Sequence, residues 1–381
     1  MGKRMGKSFK LNIEVILSYF CLVWIWVTIF LPSMKFFVFS PALNLICLAF
    51  ALAILALGYK YFTINREGLF ALSILTLLFG YLVLSFWQGR ATLSFEYVFK
   101  LINIICIVIL GVVFSSKINL SGTFLMKIAA LYGLAFCSLS FLGIIKASPS
   151  GALSYLNLGL PIGITVLACY LLFLREKRVV LKVFLLLCFA FSFFMVLKTP
   201  ARGVLLGTVL LLIYMSFKYK RKRYLLYVFL ITAPVVITYW EEIYTLSSFV
   251  IAKMERLIFS IEEEARYTYY IEVFNYSSEQ FWGYGLRSYV PLLGFYPHSL
   301  MLEFLIVGGF VLALLFTLII IFTLVKIYKN IGNKSDLDFI FLITIYFLIQ
   351  WHLSYELSSA YGLFLCLSIV LSKKSKELKL A

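Results

Sequence analysis

The sequence predicts an all-α protein: a polytopic transmembrane helical bundle of about 12 spans. Hydrophobic residues make up 63% of the 381 positions and charged residues only 13%. Soluble domains contain roughly 45–50% apolar and about 25% charged residues. Apolar runs of membrane-spanning length recur along the whole chain, and basic residues gather in clusters between them. This composition excludes a conventional soluble core.

The apolar runs give the predicted span positions. A transmembrane helix needs about 20 mainly apolar residues, because the hydrocarbon layer is ~30 Å thick, and a helix satisfies its own backbone polar groups there. Runs that meet or approach this length lie at 12–31, 41–59, 69–87, 98–115, 125–145, 157–174, 179–197, 203–217, 224–240, 299–325, 337–354 and 357–372. They predict nine spans within 1–240, a large loop with amphipathic helices at 241–297, and three spans within 298–381.

The distribution of lysine and arginine predicts the orientation of the bundle. Basic clusters fall at 3–10, 175–178, 218–223, 326–334 and 373–379, and with twelve spans all of them lie on one side of the membrane. Because cytoplasmic loops are enriched in Lys and Arg, both termini are expected in the cytoplasm and the large loop on the outer face. The net charge of +17 is therefore a topology signal. A nucleic-acid partner is not expected, since it would need a basic patch on a folded domain.

Neither a metal site nor a cofactor is predicted. The seven cysteines form no CxxC pair and are interpreted as small hydrophobic residues in helices. Asp336 and Asp338 resemble a paired-acid metal motif, but they lie beside Lys334 in a loop on the cytoplasmic side, where we expect them to be solvated. The large loop has no His/Cys cluster of metal-ligand spacing, and no glycine-rich phosphate-binding loop occurs in the sequence.

Polar residues concentrate at the predicted outer face. Lys198 and Arg202 bracket a Thr-Pro break between two spans. Pro200 suits the first position of a helix, so Arg202 is expected in the first turn of the next helix. Charged residues at membrane depth usually serve a partner or a pathway, although an arginine at a helix end can also reach the interface by snorkelling.

The chain contains two histidines. His298 directly precedes the apolar run 299–325, and Glu303 lies inside that run, where a buried acid needs a positive or hydrogen-bonding partner. His352 is followed four residues later by Glu356, so these two side chains are expected to pair or to face one cavity. Two interpretations of His298 stay open: an interfacial hydrogen-bonding residue, or a general base.

Three stretches together resemble the bacterial O-antigen polymerase and O-antigen ligase superfamily. LKTPARGVLLGTVLLL (197–212) is similar to that family's arginine-bearing outward turn, and EARYTYYIEVFNYSSEQFWGYGL (264–286) to its stretch of Arg, aromatic residues and Gly-x-Gly. HSLMLEFLIVGG (298–309) resembles its histidine motif with a following acid and glycines. The order of the stretches and the place of the large loop agree with the family.

The resemblance implies an integral-membrane glycosyltransferase that acts on undecaprenyl-pyrophosphate-linked oligosaccharides at the periplasmic face of the bacterial inner membrane. It implies no metal or other cofactor. The implied catalytic residues are His298, as the base for the acceptor hydroxyl, and Arg202 and Arg266, as ligands of the pyrophosphate. The implied substrate-binding residues are Arg287, Lys198, Glu303, Tyr267, Trp282 and Arg256. Further implied partners are membrane lipids and a chain-length regulator and flippase of the same pathway.

Several functions remain open within and outside this family. A polymerase is favoured because the chain is compact and Gly309 lacks the second small residue that a ligase has three positions later. The alternative is an O-antigen ligase, which transfers the glycan to lipid A–core. A flippase or other transporter also suits twelve helices, but transporters often carry charged residues near the bilayer midplane, whereas here they gather at the outer face. A non-catalytic partner in envelope assembly is a further possibility.

Overall fold

The computed structural model describes residues 2–34, 40–88, 94–117, 123–146, 155–199, 201–219, 237–238, 241, 265–331 and 336–374. Every regular element in these ranges is helical, and they contain no strand. Nine helices in these ranges are long and apolar enough to cross a membrane, as expected for a multi-pass helical membrane protein. The count of twelve stays a prediction, because the predicted span 224–240 lies outside the described residues except for 237–238.

The described α-helices follow the predicted apolar runs closely. Two of them begin with a side-chain cap: Asn65 accepts the N–H of Gly68, and Ser94 accepts that of Tyr97, which satisfies a donor that the first turn leaves unpaired. In chain order the helices are α1 (Gly2–Met34), α2 (Ser40–Gly58), α3 (Arg66–Leu84), α4 (Phe95–Ser115), α5 (Phe124–Phe141), α6 (Tyr155–Arg175), α7 (Val179–Lys198), α8 (Arg202–Lys218), α9 (Ala265–Glu279), α10 (Tyr289–Leu293), α11 (Leu300–Asn330), α12 (Asp336–Leu353) and α13 (Tyr361–Leu371).

The helices form two compact units. The first consists of Met1–Leu31, Phe39–Phe124 and Thr268–Ala381, and the second of Pro32–Val38 and Leu125–Tyr267. In the first unit α13 packs against α3, α4, α11 and α12, and all of its residues are buried. A helix that is apolar on every face needs this kind of enclosure, so α13 forms the centre of the unit.

The first unit has polar contacts at both ends of α4. At one end, Lys326 of α11 pairs with Glu67 (Nζ to Oε2, 2.6 Å) and donates to the Leu371 carbonyl. At the same end Lys373 donates to the Ser115 carbonyl at 2.5 Å. We call this the lysine end. The opposite end, where α4, α11 and α13 begin and α12 terminates, is called the loop end.

In the second unit α6 packs against α7 and α8. Helix α5 approaches α6 closely at Gly133, where an added Cβ would lie 1.5 Å from Thr165 Oγ1. In the interior, the hydroxyls of Tyr170 and Ser216 form a hydrogen bond of 2.5 Å. Helix α8 begins at Arg202, which confirms that this residue lies in the first turn after the Thr-Pro break.

The acidic pair Asp336 and Asp338 is buried, so the prediction of a solvated loop is wrong. Both residues lie in the first turn of α12, and both are 0% exposed. The N–H groups of a first helical turn carry partial positive charge and favour acidic side chains. This environment offsets part of the cost of burying the two carboxylates.

His352 and Glu356 do not pair with each other, so this part of the prediction is also wrong. His352 Nδ1 lies 2.6 Å from the Leu348 carbonyl oxygen, and its ring stacks on Phe316. Glu356 instead accepts a hydrogen bond from the Ser358 hydroxyl. Because α12 ends at residue 353, the helical spacing that would bring the two side chains together is lost.

Candidate functional site

Helix α11 is broken near its start. Its 31 residues would measure about 46 Å as one straight helix, well beyond a ~30 Å hydrocarbon layer. Gly308 (φ −120°, ψ 15°) and Gly309 (φ 66°, ψ −162°) leave the helical conformation, and the Gly309 values fall in a region that essentially only glycine adopts. A short helix over 300–307 is therefore separated from a helix over 310–330 that is long enough to span a membrane.

The loop Phe281–Gly285 fills the break in α11. Three backbone hydrogen bonds of 2.9 to 3.1 Å join the two segments, donated by the N–H groups of Tyr284, Gly285 and Phe310 to the carbonyls of Ile306, Val307 and Phe281, respectively. Non-helical backbone at membrane depth is tolerated only where other protein groups satisfy it. The loop supplies those groups, so the break and the loop form one structural feature.

Glycine is required on both sides of this contact. A Cβ on Gly283 would lie 2.5 Å from the Val307 carbonyl oxygen, and a Cβ on Gly309 would lie 1.8 Å from the Phe281 carbonyl oxygen. Both glycines also have positive φ. They belong to two of the stretches that carry the family resemblance, 264–286 and 298–309, and these stretches meet here backbone to backbone.

His298 lies at the loop end of the first unit. It directly precedes the N-cap residue of α11 and has a φ of 55°, which is uncommon for a residue with a side chain. The rings of Phe295, Tyr296 and Tyr269 lie near its half-buried imidazole, at centroid distances of 5.1, 4.5 and 6.3 Å. The Tyr296 hydroxyl donates to the Ser354 carbonyl at 3.2 Å, which ties this aromatic cluster to the segment after α12.

Glu303 is the buried acid of the loop end. It is 1% exposed, and its Oε2 accepts a hydrogen bond from the Leu357 N–H at 2.8 Å. This bond ties the start of α11 to the turn that precedes α13. Among the described residues, Glu303 Oε1 has no hydrogen-bond partner, and the Glu356 carboxylate lies close enough to repel it. A buried carboxylate in this state is costly and is held in place by its surroundings.

Two buried tyrosines lie beside Glu303: Tyr97 of α4 and Tyr289 of α10, which are 5% and 1% exposed. The Tyr289 hydroxyl lies close to both the Glu303 carboxylate and the Tyr97 hydroxyl, although these atoms lack hydrogen-bond geometry within the described residues. Burial and the nearby Glu303 carboxylate raise the pKa of Tyr289 well above its ordinary value. Its hydroxyl therefore stays protonated. We call Tyr97, Tyr289 and Glu303 the buried layer.

Arg287 stands next to this buried layer. Its guanidinium lies 5.3 Å from the centroid of the Tyr97 ring, a distance typical of cation–π contacts. Like His298, it has a left-handed backbone, with φ 60°, and its side chain is half-buried. It forms no ion pair with any residue in the described ranges. The site therefore presents a positioned cation without a carboxylate partner there.

Two further predicted residues have described side chains with aromatic neighbours. Trp282, in the loop that fills the break, is 54% exposed and packs edge-on against Phe281. In the second unit, Lys198 ends α7 with its ammonium 4.9 Å from the Phe194 ring centroid and 5.5 Å from that of Phe141.

The remaining predicted residues are described in part or not at all. Tyr267 is half-buried; it lies near the start of α9 and is the last residue of the second unit. Arg202 is the first residue of α8 and Arg266 the second of α9, and their side chains lie outside the described part of the structure. Arg256 lies wholly outside it. The predicted pyrophosphate clamp of Arg202 and Arg266 thus stays a prediction.

Sequence reasoning missed the tyrosines of the loop end. Tyr97 and Tyr361 stand at the starts of apolar helices, where tyrosine is usually an interfacial anchor, yet they are 5% and 1% exposed. The Tyr361 hydroxyl lies close to the Asn44 side chain. The only sequence signal was the position of these phenols at helix starts that share one predicted face of the membrane.

Within the described ranges, no group of three or more His, Cys, Asp or Glu side chains is arranged to hold a metal ion. The loop end instead combines a half-buried histidine, an arginine without an ion pair there, and exposed aromatic rings, backed by the buried layer. This set can accept a proton, bind an anion and stack on sugar rings. No family model matches the chain, and a search of curated proteins returns no match.

Proposed function

We propose that this chain is an O-antigen polymerase, which joins undecaprenyl-pyrophosphate-linked oligosaccharide repeats into a surface polysaccharide. One observation carries the proposal. The stretches 264–286 and 298–309, which resemble the polymerase and ligase superfamily, interlock through Gly283 and Gly309. The same interlock belongs to a unit that has Arg287 and His298 at one end. Because charged residues make up only 13% of the chain, the presence of Arg287 and His298 at the same end of this unit supports a site for glycosyl transfer.

The proposed reaction needs a base and a cationic clamp. An acceptor hydroxyl attacks the anomeric carbon of the donor, and a new glycosidic C–O bond forms. The C–O bond to the pyrophosphate breaks, and its electron pair leaves with undecaprenyl pyrophosphate. His298 accepts the proton of the attacking hydroxyl. Arginine side chains stabilise the charge that develops on the leaving group, because the planar guanidinium matches phosphate oxygens in pairs. This chemistry requires no metal ion or other cofactor.

The cations and aromatic residues take separate roles in this proposal. Arg202 and Arg266 bind the pyrophosphate, with Arg287, Lys198 and Arg256 as further cations. Trp282 and Tyr267 stack on sugar faces, as aromatic side chains with one polar edge suit a wet, partly apolar ligand.

The proposed location is the bacterial inner membrane, with the loop end on the periplasmic side. The lysine end supports this orientation, because Lys326 and Lys373 belong to the basic clusters that the positive-inside rule assigns to the cytoplasm. The proposed partners are the lipid-linked donor, the surrounding membrane lipids, and the chain-length regulator and flippase of the same pathway.

The test is deletion of the gene in its own O-antigen background, with lipopolysaccharide separated on a gel. We expect the deletion to leave lipid A–core carrying a single repeat and to abolish the ladder of longer chains. Wild-type protein restores the ladder. The variants His298→Ala, Arg202→Ala and Arg266→Ala do not, although each is present in the membrane at the wild-type level. Arg66→Ala, at the exposed start of α3, is the matched control and restores the ladder.

Other phenotypes contradict the proposal in specific ways. A deletion strain that lacks even the single-repeat form, while long chains accumulate on the lipid carrier, identifies a ligase. A strain in which lipid-linked repeats stay on the inner leaflet identifies a flippase. A ladder that survives in the His298→Ala strain excludes His298 as the base.

A further inference from the structure

The two residues with left-handed backbones, Arg287 and His298, flank the segment that connects the loop to α11. They are the only non-glycine residues with positive φ in the described ranges. Such conformations are strained and persist only where the surrounding structure imposes them. The contacts that impose them here therefore bear on how the proposed base and a proposed cation are positioned.

A contact between Tyr289 and Glu303 joins the chain segments that follow Arg287 and His298. Tyr289 lies two positions after Arg287, and Glu303 lies five positions after His298. The Tyr289 hydroxyl lies beside the Glu303 carboxylate. Tyr97 completes the connection, since the Arg287 guanidinium lies over its ring and its hydroxyl lies near the Tyr289 hydroxyl.

The opposite end of this connection is anchored in the backbone. Glu303 Oε2 accepts the Leu357 N–H at 2.8 Å, so the short helix that follows His298 is tied to the turn before α13. That turn abuts the central, fully buried helix of the unit. The buried layer therefore contacts the proposed cation, Arg287, and ties the short helix that follows His298 to the core of the unit.

Burial keeps this layer out of reach of a ligand at the surface of the loop end. Glu303 and Tyr289 are each 1% exposed, and Tyr97 is 5% exposed, whereas Arg287 and His298 are half-buried. A sugar that approaches the loop end therefore contacts the half-buried side chains of Arg287 and His298 before it could reach the buried layer. The burial of Glu303 therefore does not support its predicted role as a substrate ligand.

We propose that the buried layer of Glu303, Tyr289 and Tyr97 is a positioning network for the transfer reaction, an inference that rests on the proposed function. It holds the Arg287 guanidinium and the His298 imidazole at the loop end, and none of its three members touches the glycan. Residues that hold a catalytic group act through geometry, and a displacement of about 1 Å can cost on the order of 100-fold in rate.

The kinetic test compares Tyr289→Phe and Glu303→Gln with a matched control. Tyr170→Phe removes an equally buried phenol hydroxyl from the second unit, where it bonds to Ser216. We expect kcat to fall on the order of 10-fold in each buried-layer variant with KM little changed, because the glycan contacts are kept. The double variant should be no slower than the slower single variant, since both act through one network. Tyr170→Phe should keep the wild-type kcat.

A spectroscopic test does not depend on enzymatic activity. Because the chain has two histidines, protein labelled with ¹³C-histidine in detergent micelles gives two imidazole signals, and His352→Gln identifies that of His298. We expect the His298 signal to move in Tyr289→Phe and in Glu303→Gln, and to keep its position in Tyr170→Phe.

The outcomes separate the network from the proposed function. A rise in KM at constant kcat means that the buried layer binds substrate directly, and it overturns the proposal. A His298 signal that ignores both buried-layer substitutions overturns it as well, whatever the activity. A responsive His298 signal in a protein without transfer activity overturns the proposed function alone.

Discussion

Substitution of Gly309 by alanine tests the interlock between the broken helix and the loop. The added Cβ would lie 1.8 Å from the Phe281 carbonyl oxygen and 2.7 Å from the Gly283 nitrogen. Because both neighbours are backbone atoms, no side-chain rotation relieves the clash. The loop must move away from α11, and the hydrogen bond from Phe310 N–H to the Phe281 carbonyl (3.1 Å) must break.

The expected loss of stability combines two terms. A non-glycine residue in the Gly309 backbone conformation costs of order 1–3 kcal/mol. Loss of a buried hydrogen bond, with its donor left unpaired, adds about 1–3 kcal/mol. The sum of about 2–6 kcal/mol corresponds to a fall in unfolding temperature on the order of 3–8 °C for a chain of 381 residues.

Two other glycines of the first unit separate these terms. Gly294 has φ 74° but open space around its Cβ position, so Gly294→Ala carries only the backbone strain, about 1–2 kcal/mol. Gly80 in α3 has neither a neighbour within 4 Å nor a positive φ. There, alanine should be neutral or slightly stabilising, because it favours a helix interior over glycine by about 1 kcal/mol.

The assay is thermal unfolding of the detergent-solubilised protein with a fluorogenic maleimide. Five of the seven cysteines are buried and none is in a disulfide, so the dye reports when the helices separate. The expected order of unfolding temperatures is Gly80→Ala at or above wild type, then Gly294→Ala, then Gly309→Ala. A Gly309→Ala protein that unfolds with the wild type, or no earlier than Gly294→Ala, would refute the interlock.

Three further predictions concern the packing and charges away from the loop end. Lys326→Met should lower the free energy of unfolding by about 2 kcal/mol, and with it the unfolding temperature, because the substitution leaves the Leu371 and Lys373 carbonyls without this donor. The control is Lys329→Met at an exposed position of the same helix, which should leave the unfolding temperature unchanged. Burial lowers the pKa of Lys373 to about 8, below the ordinary lysine value of ~10.4. NMR of protein with ¹³C-methylated lysines should therefore show this side chain titrating near pH 8. Because the native state binds fewer protons than the unfolded state between these two pKa values, this group makes the free energy of unfolding rise with pH in that window. Titration of Lys373 at the ordinary lysine value would contradict its burial. Gly133→Ala in the second unit should lower the free energy of unfolding by about 1–3 kcal/mol, because its Cβ would lie 1.5 Å from Thr165 Oγ1 and an overpacked interior must shift. Thr165→Ala in the same protein should recover part of the loss, and its failure to do so would place the strain elsewhere.

The membrane-spanning helices were predictable from the sequence because lipid imposes a length and a composition on each of them. Nine of the predicted apolar runs coincide with candidate spans in the described ranges. The break in α11 was not predictable from hydropathy, since the apolar run continues through Gly308 and Gly309 without a polar residue. Its existence depends on the loop at 281–285, which supplies the backbone partners from elsewhere in the chain.

The candidate site was predictable in its half-buried residues and not in its buried ones. His298 and Arg287 stood out because charged or titratable side chains are rare in this chain. Tyr97 and Tyr289 did not, because 25 tyrosines occur and only tertiary packing distinguishes a buried phenol from an interfacial one. Asp336 and Asp338 show the opposite error. An acidic pair near a lysine is typical of a solvated loop, but both side chains are buried at the start of α12.

The most direct test of the central claim is reconstitution of the purified protein in liposomes with its undecaprenyl-pyrophosphate-linked repeat as the sole substrate. The account predicts lipid-linked products of two or more repeats, release of undecaprenyl pyrophosphate, and an undiminished rate in the presence of EDTA. His298→Ala should yield neither product. If the repeat is moved across the bilayer but never extended, or if extension proceeds equally well without His298, the assignment of this chain as a polymerase with its base at the loop end is wrong.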